Sequence, residues 1–184
     1  MAQISTRWVF GYGSLVWRPG FEFVRQAPAR MRGVHRRLCV YSQRHRGTSV
    51  QPGLVFGLMP GGSCRGMAFE VAAERWREVH AYLSEREMDN GVYRETTRPV
   101  LLADGATVPA LAFVADTRHL QYAGKLAIAE QVRLVRAGIG ESGPNPDYVL
   151  ETARKLGELG IRDRFLDDVV VALHGVDVPV LASA

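Results

Sequence analysis

Strand-like runs crowd the first 115 residues of this 184-residue chain, and helical patterns fill most of the remainder. That order constrains the fold more than any other feature. Apolar runs with strand character fall at Trp8–Phe10, Gly33–Tyr41, Leu54–Leu58, Gly66–Val71, Val92–Leu102 and Val108–Ala115. Turn-forming clusters part them: PGF, HRGTS, MPGGS and ADGAT. One helical stretch, Ala72–Glu87, interrupts the series, and others come after it at Lys125–Arg136, Pro146–Glu158 and Ile161–Leu173. The second of these opens with Asn145 as a cap and Pro146 at the first helical position, while Gly160 and Gly175 read as stops. Strands early and helices late argue against alternating βαβ units. The fold class expected is α+β: a compact mixed β-barrel or sheet flanked by helices, with residues 1–184 forming one domain.

Composition narrows the function classes. No apolar run approaches the roughly 18 residues of a membrane span, and MAQISTR lacks the pattern of a signal peptide. Cys39 and Cys64 stand far apart without metal-type spacing, so neither a disulfide framework nor a metal site is expected. A cytoplasmic location is the default. The net charge of +4 hides an asymmetry, because no acidic residue occurs between Glu22 and Glu70 while Arg25, Arg30, Arg32, Arg36, Arg37, Arg44, Arg46 and Arg65 do. Such a field attracts anions. Nucleic acid, an acidic small molecule and a merely solvated surface all fit it. The absence of a nucleic-acid-binding motif makes nucleic acid the minor reading.

The stretch WVFGYGSLVWRPG runs a strand into a glycine-rich turn. It is not a dinucleotide fingerprint. Val16 occupies the third glycine position, a proline and a glycine stand where a helix should begin, and no acid lies about 20 residues on. Nor is there the GK[ST] of a P-loop. What remains is a tight turn whose backbone N–H groups can cradle a carboxylate or oxyanion, or a turn that simply reverses the chain.

The helical stretch AAERWREVHAYLSERE supplies a second clue. At about 100° per residue with Trp76 at zero, Val79 falls near 300°, Leu83 near 340°, His80 near 40° and Glu87 near 20°. Glu78, Glu85 and Asp89 fall on the opposite, wet face. One carboxylate therefore occupies a core-facing position, which is costly unless it is paired or protonated. Either the helix stops short of Glu87, or an arginine pairs with it, or its pKa is raised and it is ready to take a proton. His80, on the same stripe, reads as a packing residue.

FGYGSLVWRPGF, RRLCVYSQRHRGT, PGLVFGL, GGSCRGMAFEV, YLSEREMDNGVY and SGPNPDYVL, in that order, resemble the ChaC family of γ-glutamylcyclotransferases over residues from about 8 to 150. The resemblance implies a γ-glutamylcyclotransferase-like fold, a compact β-barrel with flanking helices. It implies an enzyme that degrades glutathione to 5-oxoproline and cysteinylglycine with no metal or organic cofactor. It matches Glu87 to the catalytic glutamate. Tyr12, Gly13, Ser14 and Leu15, with Gly11 and Val16 beside them, match the substrate-cradling loop. Arg46 becomes the first arginine to consider for steering or binding, against an ordinary surface arginine. Tyr148 either lines the pocket or anchors its helix. MDNGVY departs from the family's pattern by an Asp and an extra Val, at the lip of the pocket. A different γ-glutamyl donor, or a non-catalytic protein on the same fold, are the alternatives.

Overall fold

The computed structural model describes residues 6–88 and 90–175. Five strands close a barrel: β1 (Thr6–Gly11), β2 (Arg25–Ser42), β3 (Gly53–Ala72), β4 (Tyr93–Leu102) and β5 (Thr107–Ala115), in the order β1-β3-β2-β4-β5. All neighbours are antiparallel except β1 and β5, which close the ring through a parallel seam of two residue pairs, Trp8 with Ala110 and Val9 with Leu111. Phe10, Met31, Phe69, Ala112 and Phe113 are among the buried apolar side chains of this core. Around it lie α1 (Trp76–Met88), α2 (Ile128–Ala137), α3 (Asn145–Glu158) and α4 (Arg164–His174). A short hairpin, β6 (Ile139–Gly140) and β7 (Gly143–Pro144), joins α2 to α3. Among the described residues no helix is long and apolar enough to cross a membrane.

The expected barrel with flanking helices is present, with corrections to its parts. Leu54–Leu58 and Gly66–Val71 are not two strands but one, and MPGGS is no turn. Gly61 and Gly62 take positive φ (92° and 71°) opposite Gly33 (80°), where the ladder with β2 skips a register between Arg32 and Val34. The glycines thus form a bulge that bends a continuing strand. β2 begins eight residues earlier than its apolar run, because Ala29 and Met31 point inward between exposed or half-exposed arginines. Asn145 does not cap α3; Pro144 precedes the helix, and the Asn145 amide instead accepts from Leu54 N (2.6 Å) and donates to Leu54 O (2.8 Å). That exchange satisfies β3 backbone groups that lack a strand neighbour there. α4 starts at Arg164 rather than Ile161, because Asp163 caps it by accepting from Leu166 N. Gly160 and Gly175 do stand just past the ends of α3 and α4.

The segment between β2 and β3 is pressed against the β6–β7 hairpin with backbone touching backbone. A Cβ built at Gly47, Gly53, Gly138 or Gly140 would fall 2.1 to 2.5 Å from Gly53 N, Arg46 O, Arg46 O and Arg44 O respectively. No side chain fits at any of the four.

Candidate active site

β1 ends at Gly11, and a short 3-10 turn, Ser14–Val16, comes next. Gly13 lies so close to its neighbours that a Cβ there would come within 3.2 Å of the Tyr148 hydroxyl and 3.5 Å of Phe56 Cβ. The first hydrogen bond of the turn is Val16 N to Gly13 O at 3.0 Å. The N–H groups of Ser14 and Leu15 precede it, so the turn itself gives them no acceptor. Arg36, buried in the wall, donates to the Tyr12 carbonyl (2.5 Å), to Arg65 O (2.5 Å) and to Asp163.

α1 reaches Met88, so Glu87 is helical. Its side chain is 17% exposed, and its open side faces a cavity of about 730 Å³ at the barrel mouth, also lined by Tyr12, Gly13, Ser14 and Tyr148. Burial pushes its carboxyl above the ordinary carboxylate range, and the neighbouring Arg86 guanidinium, 3.3 Å away, partly offsets that. An arginine partner and a raised pKa therefore hold together at this residue, and the early helix stop does not. Glu85 is exposed, as the wheel placed it, and reaches the cavity rim. His80 packs against the Trp76 ring, with 5.8 Å between centroids, but not in the core: it is half-exposed and bonds Glu95 at 2.9 Å.

Three phenols surround the carboxylate. Tyr12 donates to Phe113 O and Tyr93 to Phe56 O, both at 2.7 Å. Burial first, then the Glu87 charge, raises the pKa of Tyr12; Tyr93 is raised by burial and by charges that include Glu87. The Tyr148 hydroxyl accepts from Phe56 N (3.1 Å), and no acceptor among the described residues takes its own proton. Tyr148 is also held neutral by burial. A neutral donor thus stands beside the glycine turn.

Four arginines (Arg18, Arg44, Arg46, Arg86) and two glutamates (Glu85, Glu87) line the cavity, which leaves it a surplus of positive charge. Arg46 is not a surface arginine. It is 8% exposed, donates through Nη1 to Pro144 O (3.0 Å) and lies over the Tyr148 ring, 5.5 Å from its centroid.

The profile of the ChaC-like protein family matches residues 7–175. The chain belongs to the ChaC-like family. Glutathione-specific gamma-glutamylcyclotransferase of Escherichia coli K12 is 35% identical over 166 residues, covering 90% of this chain and 72% of that one. Glutathione-specific gamma-glutamylcyclotransferase 1 of Homo sapiens is 37% identical over 153 residues, covering 79% and 68%. The crystal structure of a yeast gamma-glutamyl cyclotransferase specific to glutathione has the same fold, with a TM-score of 0.85 at 21% identity over 92% of this chain and 96% of that one.

In this ChaC-like chain the structure gathers Glu87, Tyr12, Gly13, Ser14, Leu15, Arg46 and Tyr148 around one cavity. Gly11 and Val16 are not part of its wall. Gly11 is packed where a Cβ would meet Leu15 and Phe69, and Val16 is buried behind the turn, so both support the loop from beneath. Tyr148 lines the cavity and anchors α3 to β3 at once. Asp89, in the departure at the lip, lies outside the described residues.

Sequence reasoning missed three residues that build the site. Arg86 donates to Ser14 Oγ (2.9 Å), Arg18 O (2.8 Å), Pro19 O (3.1 Å) and Tyr82 Oη (2.8 Å), which straps the turn to α1. Its wheel angle of about 280°, beside Val79, was the available signal. Tyr93 and Arg36 carried none, because their partners lie 37 and 24 residues away in sequence.

Proposed function

We propose that the chain is a glutathione-specific γ-glutamylcyclotransferase, releasing 5-oxoproline and cysteinylglycine. The observation that carries this reading is a raised-pKa glutamate facing the same cavity as a glycine turn that gives the Ser14 and Leu15 N–H groups no acceptor of its own. The relatives named for this activity support it. The substrate holds its own nucleophile: the γ-glutamyl α-amine can close a five-membered ring on the γ-carbonyl, so the protein need only fold the molecule and move protons.

The α-amine arrives as an ammonium. Ionised Glu87 takes one proton, and the freed nitrogen attacks the γ-carbonyl carbon. Charge gathers on the carbonyl oxygen, where the Ser14 and Leu15 N–H groups and the Tyr148 hydroxyl are suited to meet it. Collapse breaks the bond to the cysteine nitrogen, which receives its proton from Glu87. In all, two protons leave the attacking nitrogen and two reach the departing one, so Glu87 ends as it began. A carboxyl with its pKa moved toward neutrality serves both directions better than an ordinary one. No step calls for a metal or organic cofactor. The reading places the protein in the cytoplasm, with a small-molecule substrate and no nucleic-acid or membrane partner.

The test is mass spectrometry of purified protein with glutathione, looking for 5-oxoproline. Glu87→Gln should lower kcat by about 10²–10⁴ or more, the range for a lost general base, while circular dichroism stays unchanged. Glu78→Gln, on the exposed face of the same helix, is the control. An active Glu87→Gln enzyme would overturn the assignment.

A further inference from the structure

The proposed substrate has two carboxylates, and the glycine turn and Glu87 account for the end that carries the α-amine. Resting on that reading, we propose that Arg46 is the receptor for the other one, the C-terminal carboxylate of the leaving dipeptide.

Arg46 lacks something that other arginines of this structure have. Arg36 faces Asp163, Arg86 faces Glu87 and Arg44 faces Glu141, each within ion-pair distance. Among the described residues no carboxylate comes within ion-pair distance of Arg46, although its residue is 8% exposed. A guanidinium carries five N–H donors. Nη1 uses one on Pro144 O at 3.0 Å, and no acceptor among the described residues takes a bond from Nε or Nη2. The side chain lines the cavity, so the unused donors are available there. Asp147 acts on the guanidinium only at longer range, and Arg18 opposes it. A buried cation with no anion in contact is unfavourable unless one joins it. Burial accordingly lowers the pKa of this guanidinium. The cation is also fixed in place. Its backbone N–H donates to Ser42 Oγ at 2.9 Å, and its carbonyl is the atom against which Gly53 and Gly138 are pressed.

The position selects between the two carboxylates. The α-carboxylate shares its carbon with the amine that must reach Glu87, so it stays on the Glu87 side, beside the turn. Arg46 is one aromatic ring away. The Tyr148 hydroxyl lies at Phe56 N and against Gly13, whereas the face of the same ring lies under the Arg46 guanidinium. Tyr148 therefore spans the distance from the turn to the arginine. The terminal carboxylate of the tripeptide stands two residues beyond the scissile carbonyl, up to about 7 Å when extended. That is the reach required to pass the ring and meet the cation. A γ-glutamyl amine or a peptide with a neutral C-terminus would leave the guanidinium unpaired, which makes the arginine a selector for acidic leaving groups.

The experiment compares glutathione with its C-terminal glycinamide, which keeps the α-carboxylate, the amine and the thiol. Wild-type protein should favour the acid by about 10- to 100-fold in kcat/KM, arising in KM, as expected for charge-assisted hydrogen bonds to one carboxylate. In Arg46→Gln that ratio should collapse toward one, and Arg46→Lys should fall between. The same ratio is read as Kd by calorimetry in the Glu87→Gln background, where no turnover is needed. Failure of wild type to make 5-oxoproline would defeat the proposed reaction, while the binding ratio still judges Arg46. A wild-type ratio near one overturns the proposal, whichever variants fold. So does a ratio that survives Arg46→Gln while both substrates weaken equally, which would assign Arg46 to the α-carboxylate or to the cavity wall.

Discussion

Glu87 stands among Tyr12, Tyr93 and Tyr148, with Arg86 as the cation acting on it. Its native pKa is raised, so the folded state binds the proton more tightly than the unfolded chain, whose glutamates titrate near 4.3. The stability this contributes is present below the unfolded pKa and is lost as pH rises through the native one. Glu87→Gln should therefore melt higher than wild type at pH 7–8, by about 2–4 °C for each kcal/mol of desolvation removed. The gap should close as the pH falls toward 4. Calorimetric scans across that range check it, and a variant that melts lower at pH 8 would contradict the burial argument. This residue was legible in the sequence because an acid interrupted an apolar stripe, a local contradiction within one helix. Arg36 was not. It looked like one more arginine in an acid-free segment, and its carboxylate partner, Asp163, lies 127 residues on.

Asp163 joins two elements to the catalytic turn. One oxygen caps α4 at Leu166 N, and the other pairs with Arg36, whose Nε holds the Tyr12 carbonyl. The start of the last described helix is in this way wired to the loop after the first strand. Asp163→Asn keeps a capping oxygen but leaves a guanidinium buried without its anion. With Asp163 itself 20% exposed, the expected loss is near the low end for a broken buried pair, about 3 kcal/mol in urea unfolding, with KM rising as the turn loosens. An unchanged unfolding midpoint would show the pair to be idle. The elements themselves were only partly readable. Helices announced themselves by period and by the glycines past their ends, but the long strands did not. The arginines of β2 masked its alternation, and Gly61-Gly62 imitated a turn where the structure has a bulge.

For the whole molecule, a ring fastened by two residue pairs between β1 and β5 has a weak place in an otherwise long-stranded barrel. Amide exchange should be faster at β1 and the facing stretch of β5 than along the β2–β3 hairpin, as expected where a barrel opens locally before it unfolds. Uniform protection around the ring would refute this. Closure was invisible in the residues themselves, since it depends on pairing across about a hundred residues; strand order left a sheet or a barrel open, and the family resemblance implied the barrel. The four glycine seats, Gly47 and Gly53 folding the β2–β3 segment on itself and Gly138 and Gly140 pressing the hairpin side against it, carry a different consequence, one for descent rather than for folding. Apolar positions of the barrel can drift by exchanging one hydrocarbon for another, but these four have no neighbouring letter that keeps the backbone where it is. A lineage that altered the grip around Arg46 would have to rebuild both segments together. Change in leaving-group preference should then arrive in jumps, by replaced or resized loops, and not by the slow accumulation of point substitutions.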